Sequence, residues 1–188
     1  VMPGAAGFVP FPGLVAGTTA LPSACFGAAS VIRDDGQVKT FSGTETNLYV
    51  LDSTEAWTDA TRLLGGNYAT GTGDRWNFEA YGSNLIAVNG TDDPQVIDID
   101  SGTNFDAIAG SPPIARYVCV VREFVVLGGL FGNEKRVQWS ANGDMTGWTP
   151  ATDESDYQDI PNGGPVRGLI GGEVGYVFQA NKVTRFAY

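Results

Sequence analysis

The sequence predicts an all-β fold, a β-propeller-like array of four-stranded antiparallel blades, and three observations favour it. Short runs of β-branched and aromatic residues are separated by Gly, Asn and Asp at intervals of roughly 8–12 residues, the spacing of strands joined by tight turns. Glycine makes up 26 of the 188 residues, about twice its usual share of ~7%, which indicates many turns. A strand–turn–strand phrase also recurs along the chain.

The recurring phrase begins at Val38, Trp76, Arg116 and Val166. A third strand is predicted at 95–100, 136–140 and 182–188, and an aromatic-led closing segment at 57–61, 104–108 and 148–152. Four antiparallel strands in ~40–50 residues are the unit of a propeller blade, whose two faces are buried by stacking on its neighbours. A generic β-sandwich is the alternative, but a sandwich would not repeat the whole four-strand phrase.

The units amount to about three and a half blades, whereas closed propellers use roughly four to eight. We therefore expect a segment of a larger propeller, or a partial propeller completed by other chains. One stretch, 53–66, also fits an amphipathic helix, because Ala56, Trp57, Ala60, Leu63 and Leu64 recur at helical spacing. This helix is retained as an alternative to a closing strand.

Two regions are predicted. Residues 1–23 form an extended Pro/Gly-rich N-terminal arm, and residues 24–188 form the partial β-propeller. The arm carries apolar side chains without a periodicity that would let it fold alone, so we expect it to dock in an extended form against a neighbour. These side chains are Phe8, Val9, Phe11, Leu14 and Val15.

The composition excludes several classes of protein. There are 21 Asp and Glu against 11 Lys and Arg, for a net charge of −10, and no window concentrates cations, so tight nucleic-acid binding is not expected. The absence of histidine excludes catalysis and metal ligation that depend on it. No apolar run reaches the ~18 residues of a membrane-spanning helix. Cys25 and Cys119 are interpreted as small apolar residues of the core rather than as a disulfide.

The sequence predicts no catalytic residue, no cofactor and no metal site. Asp98 and Asp100 resemble the start of a calcium loop but lack its remaining ligands, so they are interpreted as turn residues. The acidic stretch 153–159 is interpreted as a solvated loop rather than a cation site. Asn89 begins a glycosylation sequon at a position where a hairpin turn is expected. No nucleophile is paired with a base, so the protein is not expected to be an enzyme.

One phrase points to a family. Residues 135–150, Lys-Arg-Val-Gln-Trp-Ser-Ala-Asn-Gly-Asp-Met-Thr-Gly-Trp-Thr-Pro, resemble a phrase recurrent in tailed-bacteriophage virion proteins, of the form Arg-Val-x-Trp-Ser-x-x-Gly-Asp-x-x-x-Trp. The acidic stretch at 155–159 and the segments 76–89 and 92–96 extend the resemblance, which is most specific between residues 116 and 180. The family comprises propeller-type tail hub, nozzle and packaged-DNA-stabilisation proteins.

The resemblance implies a structural protein of the virion, located in the phage tail and assembled in the cytoplasm of the bacterial host. Its expected partners are other copies of itself in a homo-oligomeric ring and the adjacent tail or connector proteins, with no membrane partner. A ring of this kind forms part of the tail conduit for DNA, and an acidic wall would keep the polymer mobile.

The sequence leaves two other functions open. A carbohydrate-binding or glycan-cleaving propeller would use Trp57, Trp76, Trp139 or Trp148 as stacking platforms for sugars, although packing between blades explains these positions better. A secreted adhesion module is the third class.

Overall fold

The computed structural model describes residues 2–4, 7–9 and 16–187, and in these residues the regular structure is β apart from a 3-10 turn at Pro161–Gly163. The strands, in chain order, are β1 (Met2–Gly4), β2 (Gly7–Val9), β3 (Gly27–Ile32), β4 (Val38–Gly43), β5 (Leu48–Leu51), β6 (Trp57–Asp59), β7 (Asn77–Tyr81), β8 (Asn84–Val88), β9 (Gln95–Asp98), β10 (Asp106–Ala107), β11 (Ala115–Val121), β12 (Phe124–Leu130), β13 (Asn133–Trp139), β14 (Asp156–Asp159), β15 (Val166–Ile170), β16 (Gly175–Gln179) and β17 (Val183–Phe186).

The β-propeller prediction is confirmed. Four antiparallel sheets form the blades: sheet 1 is β3–β6, sheet 2 is β7–β10, sheet 3 is β11–β14 and sheet 4 is β15–β17. Within each sheet the strands lie in chain order, so each blade is a simple meander. The first strands of consecutive sheets contact one another, β3 with β7, β7 with β11 and β11 with β15, which places them innermost and the last strands outermost.

Three hydrophobic cores lie between consecutive sheets. The first core joins sheets 1 and 2 around Phe41 and Leu85, the second joins sheets 2 and 3 around Ile86 and Leu127, and the third joins sheets 3 and 4 around Val126. Alternation along a strand produces this division, because successive side chains point to opposite faces of the sheet. In β8, for example, Leu85 belongs to the first core and Ile86 to the second. A sheet in the middle of the stack therefore buries both faces.

The predicted phase of the first repeat was wrong by one strand. The sequence alignment made 38–51 the first and second strands of its blade, whereas they are the second and third, and β3 precedes them. This strand begins Gly-Ala-Ala-Ser, residues that give little β signal. The small residues have a packing role, since a Cβ at Gly27 would collide with the backbone of Trp76 in the next blade.

One expectation about the closing segments was wrong, and one alternative is excluded. Residues 148–152 do not form the outer strand of sheet 3, which is β14, and they lie in the loop that precedes it. The alternative helix at 53–66 is absent as well, because Asp52 accepts hydrogen bonds from the backbone of Thr54 and Ala56 at 2.8 and 3.0 Å and closes a turn before β6. The closing-strand interpretation of 57–61 is confirmed for residues 57–59.

The described part of the arm is not a single extended strand. β1 and β2 pair antiparallel, with Met2 opposite Val9 and Gly4 opposite Gly7. Residues 16–23 reach sheet 1, where Thr19 donates its backbone N–H to the carbonyl oxygen of Glu55 at 2.9 Å. The side chains of Phe8 and Val9, and residues 1, 5, 6 and 10–15, lie outside the described part, and with them Phe11, Leu14 and Val15. Docking of the arm against a neighbour stays a prediction.

Candidate assembly surfaces

The two ends of the stack present apolar sheet faces to solvent. The first open face, defined as the side of sheet 1 turned away from sheet 2, exposes Ile32 and Val38, which are directly opposite each other on β3 and β4 and 72% and 66% exposed. Trp57 lies on the same face, because in β6 it alternates with Thr58, which is in register with Val50 of the first core.

The last open face is the side of sheet 4 turned away from sheet 3. Ile170 stands opposite Tyr176 on neighbouring strands, and Phe178 stands opposite Val183. Ile170 and Val183 are each 57% exposed, and Tyr176 is 38% exposed. A contiguous exposed apolar patch on a soluble protein usually marks an interaction surface. Both open faces also carry polar residues, Ser30 and Thr40 on the first and Arg185, opposite Tyr176, on the last.

A third surface lies between sheets 3 and 4, at their outer side. It is an apolar cleft of about 250 Å³ next to β17, here named the β17 cleft. Its walls include Val126 and Val137 from sheet 3 and Val177 and Phe186 from sheet 4. Sheets 1 to 3 each carry a fourth, outer strand, but in the described residues β17 is the outermost strand of sheet 4. The cleft is therefore open where the other blades are covered.

Charged side chains join neighbouring blades and neighbouring strands. Arg116 links sheets 2 and 3, with 2.8 Å from its Nε to Oδ1 of Asp74 and 2.9 Å from its Nη1 to Oε1 of Glu134. Arg136 binds Asp159 through two nitrogens at 2.7 and 2.9 Å, a bidentate pair between β13 and β14. The guanidinium hydrogen bond holds the pKa of the Asp159 carboxyl below its usual value.

The family-like phrase at 135–150 builds the third blade. Arg136 pairs with the outer strand, and its guanidinium lies 3.7 Å from the ring centroid of Tyr157. Trp139 donates its ring N–H to the carbonyl oxygen of Glu154 at 2.8 Å, tying the loop to β13. Trp148 is 4% exposed and lies in the second core. In this structure these residues hold strands, loop and core together.

The acidic candidates behave as turn and loop residues. Asp98 accepts hydrogen bonds from the backbone and hydroxyl of Ser101 at 2.6 and 2.8 Å, which lowers the pKa of its carboxyl, so the turn interpretation is confirmed. Asn89 is buried, and its side-chain oxygen accepts the N–H groups of Thr91 and Asp92 at 3.0 and 2.8 Å, as expected for a turn. Within the described ranges, no three His, Cys, Asp or Glu side chains, including those of the 153–159 stretch, come together as a group able to hold a metal ion.

The tryptophans proposed as sugar platforms divide into two pairs. Trp76 and Trp148 are each 4% exposed and lie in the first and second cores. Trp57 and Trp139 are partly buried, the former on the first open face and the latter in the wall of the β17 cleft. Packing between blades thus accounts for the first pair, as expected.

Several buried titratable groups gave no sequence signal. Burial raises the pKa of Tyr68 to about 12, and its hydroxyl lies 3.0 Å from Oε1 of Gln95 in a buried contact. Burial also raises the pKa of the Cys119 thiol to about 12 and, to a smaller extent, the pKa of Glu79. Both cysteines are free thiols, so the absence of a disulfide is confirmed; Cys119 is buried as expected, but Cys25 is exposed and the core assignment was wrong for it.

A comparison with known protein families finds no matching family, and a comparison with curated proteins finds no match. No helix in the described ranges has the length and apolar character needed to cross a membrane.

Proposed function

We propose that this protein is a structural subunit of a tailed-phage virion, a tail hub, nozzle or connector-proximal ring component that assembles as a homo-oligomer and forms part of the tail conduit for DNA. The observation that carries the proposal is the pair of open faces. Ile32 and Val38 at one end, and Ile170 and Val183 at the other, are apolar side chains more than half exposed. The sheets already pack face to face within the chain, and each open face offers a surface on which a further copy can pack in the same way.

The two faces differ from each other, so contact between them is head-to-tail. A head-to-tail interface produces a closed ring when the rotation between copies closes, and an open filament when it does not. The resemblance at 135–150 supplies the class of assembly, with adjacent tail or connector proteins as the other partners and the virion as the location. A net charge of −10 suits the wall of a DNA conduit, because like charges do not hold the polymer.

The decisive experiment measures mass in solution. We expect a concentration-dependent oligomer whose mass reaches a plateau in sedimentation velocity, and ring-shaped particles in negative-stain electron microscopy. Val38→Glu on the first open face and Val183→Glu on the last should each abolish the oligomer. Phe131→Glu is the matched control, since Phe131 is 75% exposed at the hairpin of sheet 3, whose two faces are already covered.

Mixing the two defective variants sharpens the test. Each variant keeps one intact face, so a head-to-tail contact predicts a one-to-one dimer in the mixture and nothing larger. A monomer at all concentrations, or a mixture of Val38→Glu and Val183→Glu that stays monomeric, contradicts the proposal. Removal of residues 1–23 should weaken the ring more than the fold if the arm also docks on a neighbour, and an unchanged oligomer mass would refute that role.

The carbohydrate-binding alternative has less support. Two of its four tryptophans, Trp76 and Trp148, are buried between blades and offer no face to a sugar. A glycan-array screen of the purified chain separates the two functions, because the structural proposal predicts no saturable glycan binding and no turnover. Specific binding lost on Trp139→Ala would favour the alternative.

A further inference from the structure

The net charge of the protein is concentrated at one end of its stack of sheets. Each sheet is a meander, so its connections lie alternately at one end and at the other. The acidic end holds ten Asp and Glu against two Arg. It comprises the connections 33–37, 52–56, 82–83, 99–105, 122–123, 140–155 and 171–174. The near-neutral end holds four Asp and Glu against three Lys and Arg. It comprises the connections 44–47, 60–76, 89–94, 108–114, 131–132, 160–165 and 180–182. Two copies can therefore approach through their near-neutral ends with far less electrostatic repulsion than through their acidic ends.

Two adjacent leucines project from the near-neutral end. Leu63 and Leu64, here named the tip, are 78% and 84% exposed in the connection between β6 and β7. Gly65 and Gly66 follow with φ of +95° and +71°, a left-handed conformation that glycine adopts easily and that turns the chain back. A single exposed leucine is common on protein surfaces. The significance of the tip therefore depends on how firmly the loop holds it.

The guanidinium of Arg62 fixes the shape of this loop. Its Nε and Nη2 donate to the carbonyl oxygens of Gly66 and Asn67 at 3.0 and 3.3 Å, which closes the turn that carries the tip. Nη2 also lies 3.0 Å from Oδ1 of Asp92, in an ion pair whose two side chains are mostly buried. The guanidinium carbon lies 4.5 Å from the ring centroid of Tyr68. The tip is thus held in one shape before any contact forms, which lowers the entropy lost on binding.

A pocket opens at the same end. It has a volume of about 350 Å³ and is lined by residues 107–112 together with Asp93. Its side chains are mostly small or apolar, and they include Ala107, Ala109 and Pro112. An apolar cavity of roughly 150 Å³ in another protein holds a benzene molecule. The pocket therefore has room for a leucine side chain.

The connection 89–94 links the tip to the pocket. Asp92 pairs with Arg62 at the base of the tip, and the next residue, Asp93, lines the pocket. The carbonyl oxygen of Pro94 accepts the backbone N–H of Ile108 at 2.9 Å, which anchors the pocket to the same connection. The tip and the pocket are therefore neighbouring parts of one surface.

A surface that carries both a projection and a recess can pair with itself. In a two-fold interface both copies use the same surface, so a contact between two different residues occurs twice. The tip of each copy can then enter the pocket of the other, and the pair is closed at two copies. The acidic ends point away from each other in such a pair, which is the arrangement that the charge distribution favours.

We propose that the near-neutral end is a two-fold docking surface for a second copy of this chain, in which Leu63 and Leu64 of each copy enter the 107–112 pocket of the other. The contact is small, so single copies should pair with a Kd on the order of 1 mM. This pairing goes beyond ring formation and does not require it. Where a ring forms, the same contact joins two rings end to end and is strengthened because several contacts act together.

The first test measures mass in the Val38→Glu variant, in which the first open face is blocked and head-to-tail association is removed. We expect a monomer–dimer equilibrium at about 1 mM protein, with nothing larger, in sedimentation equilibrium. Addition of Leu64→Glu should weaken this pairing about 30-fold, the loss typical of an anchor residue removed from its pocket. Ile32→Glu is the matched control, because Ile32 is 72% exposed but lies at the end of β3 next to the acidic end. It should leave the dimer unchanged.

Disulfide trapping identifies which residues meet. In a Cys25→Ser background the other native cysteine is the buried Cys119. Chains with Leu64→Cys and chains with Ala109→Cys are mixed under mild oxidation. We expect the mixed pair to cross-link about tenfold faster than either variant cross-links to itself, because a disulfide requires Cα atoms within roughly 7 Å. Leu64→Cys mixed with Ile32→Cys is the control and should cross-link slowly.

Several results would overturn the proposal. They are a monomer at all concentrations up to about 1 mM, equal effects of Leu64→Glu and Ile32→Glu on the dimer, and cross-linking of Leu64→Cys to itself faster than to Ala109→Cys. Binding of the Val38→Glu variant to phosphatidylcholine vesicles that is lost on Leu64→Glu would assign the tip to a lipid surface and overturn the proposal too. The mass measurements use a variant with a blocked open face, so their outcome is separate from that of the ring proposal.

Discussion

Truncation of Phe105 to Ala measures how strongly an aromatic residue between two blades holds them together. The side chain is fully buried in the first core and packs edge to face on Phe41. Removing a buried aromatic side chain costs about 3–5 kcal/mol, from lost burial and from the cavity that remains. Since total stability is typically ~5–15 kcal/mol, this is a large share. For a domain of this size it corresponds to a fall of roughly 10 °C in the midpoint of thermal unfolding.

The matched variant is Trp57→Ala. In the register of the outer strands Trp57, opposite Leu51, corresponds to Phe105, but it lies on the first open face and is only partly buried. We expect it to cost roughly 1 kcal/mol, although tryptophan is the larger side chain. Urea unfolding followed by circular dichroism, at concentrations where the chain is monomeric, gives both values. Equal losses, or a larger loss for Trp57→Ala, would refute the stacked-blade account of the aromatic positions.

Three further predictions follow from single sites. Gly110→Ala should lower the free energy of unfolding by roughly 3 kcal/mol, because a Cβ there collides with a carbonyl oxygen of a neighbouring loop. Gly36→Ala, at the same φ of +81° but in open space, should lower it by only ~1–2 kcal/mol. Equal urea midpoints for the two variants would contradict this prediction. Glu79→Gln should stabilise the fold at pH 7, because burial raises the pKa of Glu79 and disfavours its ionised form. The gain in stability should shrink as the pH falls through that raised pKa, because Glu79 is then protonated. A gain that does not change with pH would exclude the carboxyl as its source. Exposed Cys25 should react with a thiol reagent in the folded chain, while Cys119, buried and with its pKa raised to about 12, should react only on unfolding. Mass spectrometry of the labelled peptides shows which cysteine has reacted, and labelling of Cys119 in the folded chain would contradict the prediction.

Local sequence signals predicted the blades well, because hairpins depend on neighbouring residues. The runs that became β8, β12 and β16 are rich in β-branched or aromatic residues and lie beside tight turns, so the antiparallel pairs were predicted directly. β3 was missed because its small residues are set by packing against Trp76, which lies about 50 residues further along the chain. The outer strand of sheet 3 was misplaced because Trp148 fills the core from a loop, as an outer-strand residue would.

The candidate surfaces could not be predicted in the same way. Whether Ile170 and Val183 are exposed depends on which sheet stacks on sheet 4, and the amino-acid pattern of a strand does not contain that information. The β17 cleft depends on two sheets, since its walls come from strands of sheet 3 and of sheet 4 that are separated in the sequence. The expectation of about three and a half blades corresponds to three four-stranded sheets and one of three strands in the described part.

The division of the interior into separate cores affects how such a chain can evolve. The contacts that join blades run between consecutive sheets, so the interior of one sheet–sheet pair is independent of the next. Gain of a whole sheet by duplication of about 40–50 residues therefore replaces one joint by two, and loss of an internal sheet replaces two joints by one, while the cores further along the stack stay intact. The number of blades can therefore change without substitutions in the distant blades. A substitution within an internal blade, in contrast, alters one of the two cores to which its faces contribute.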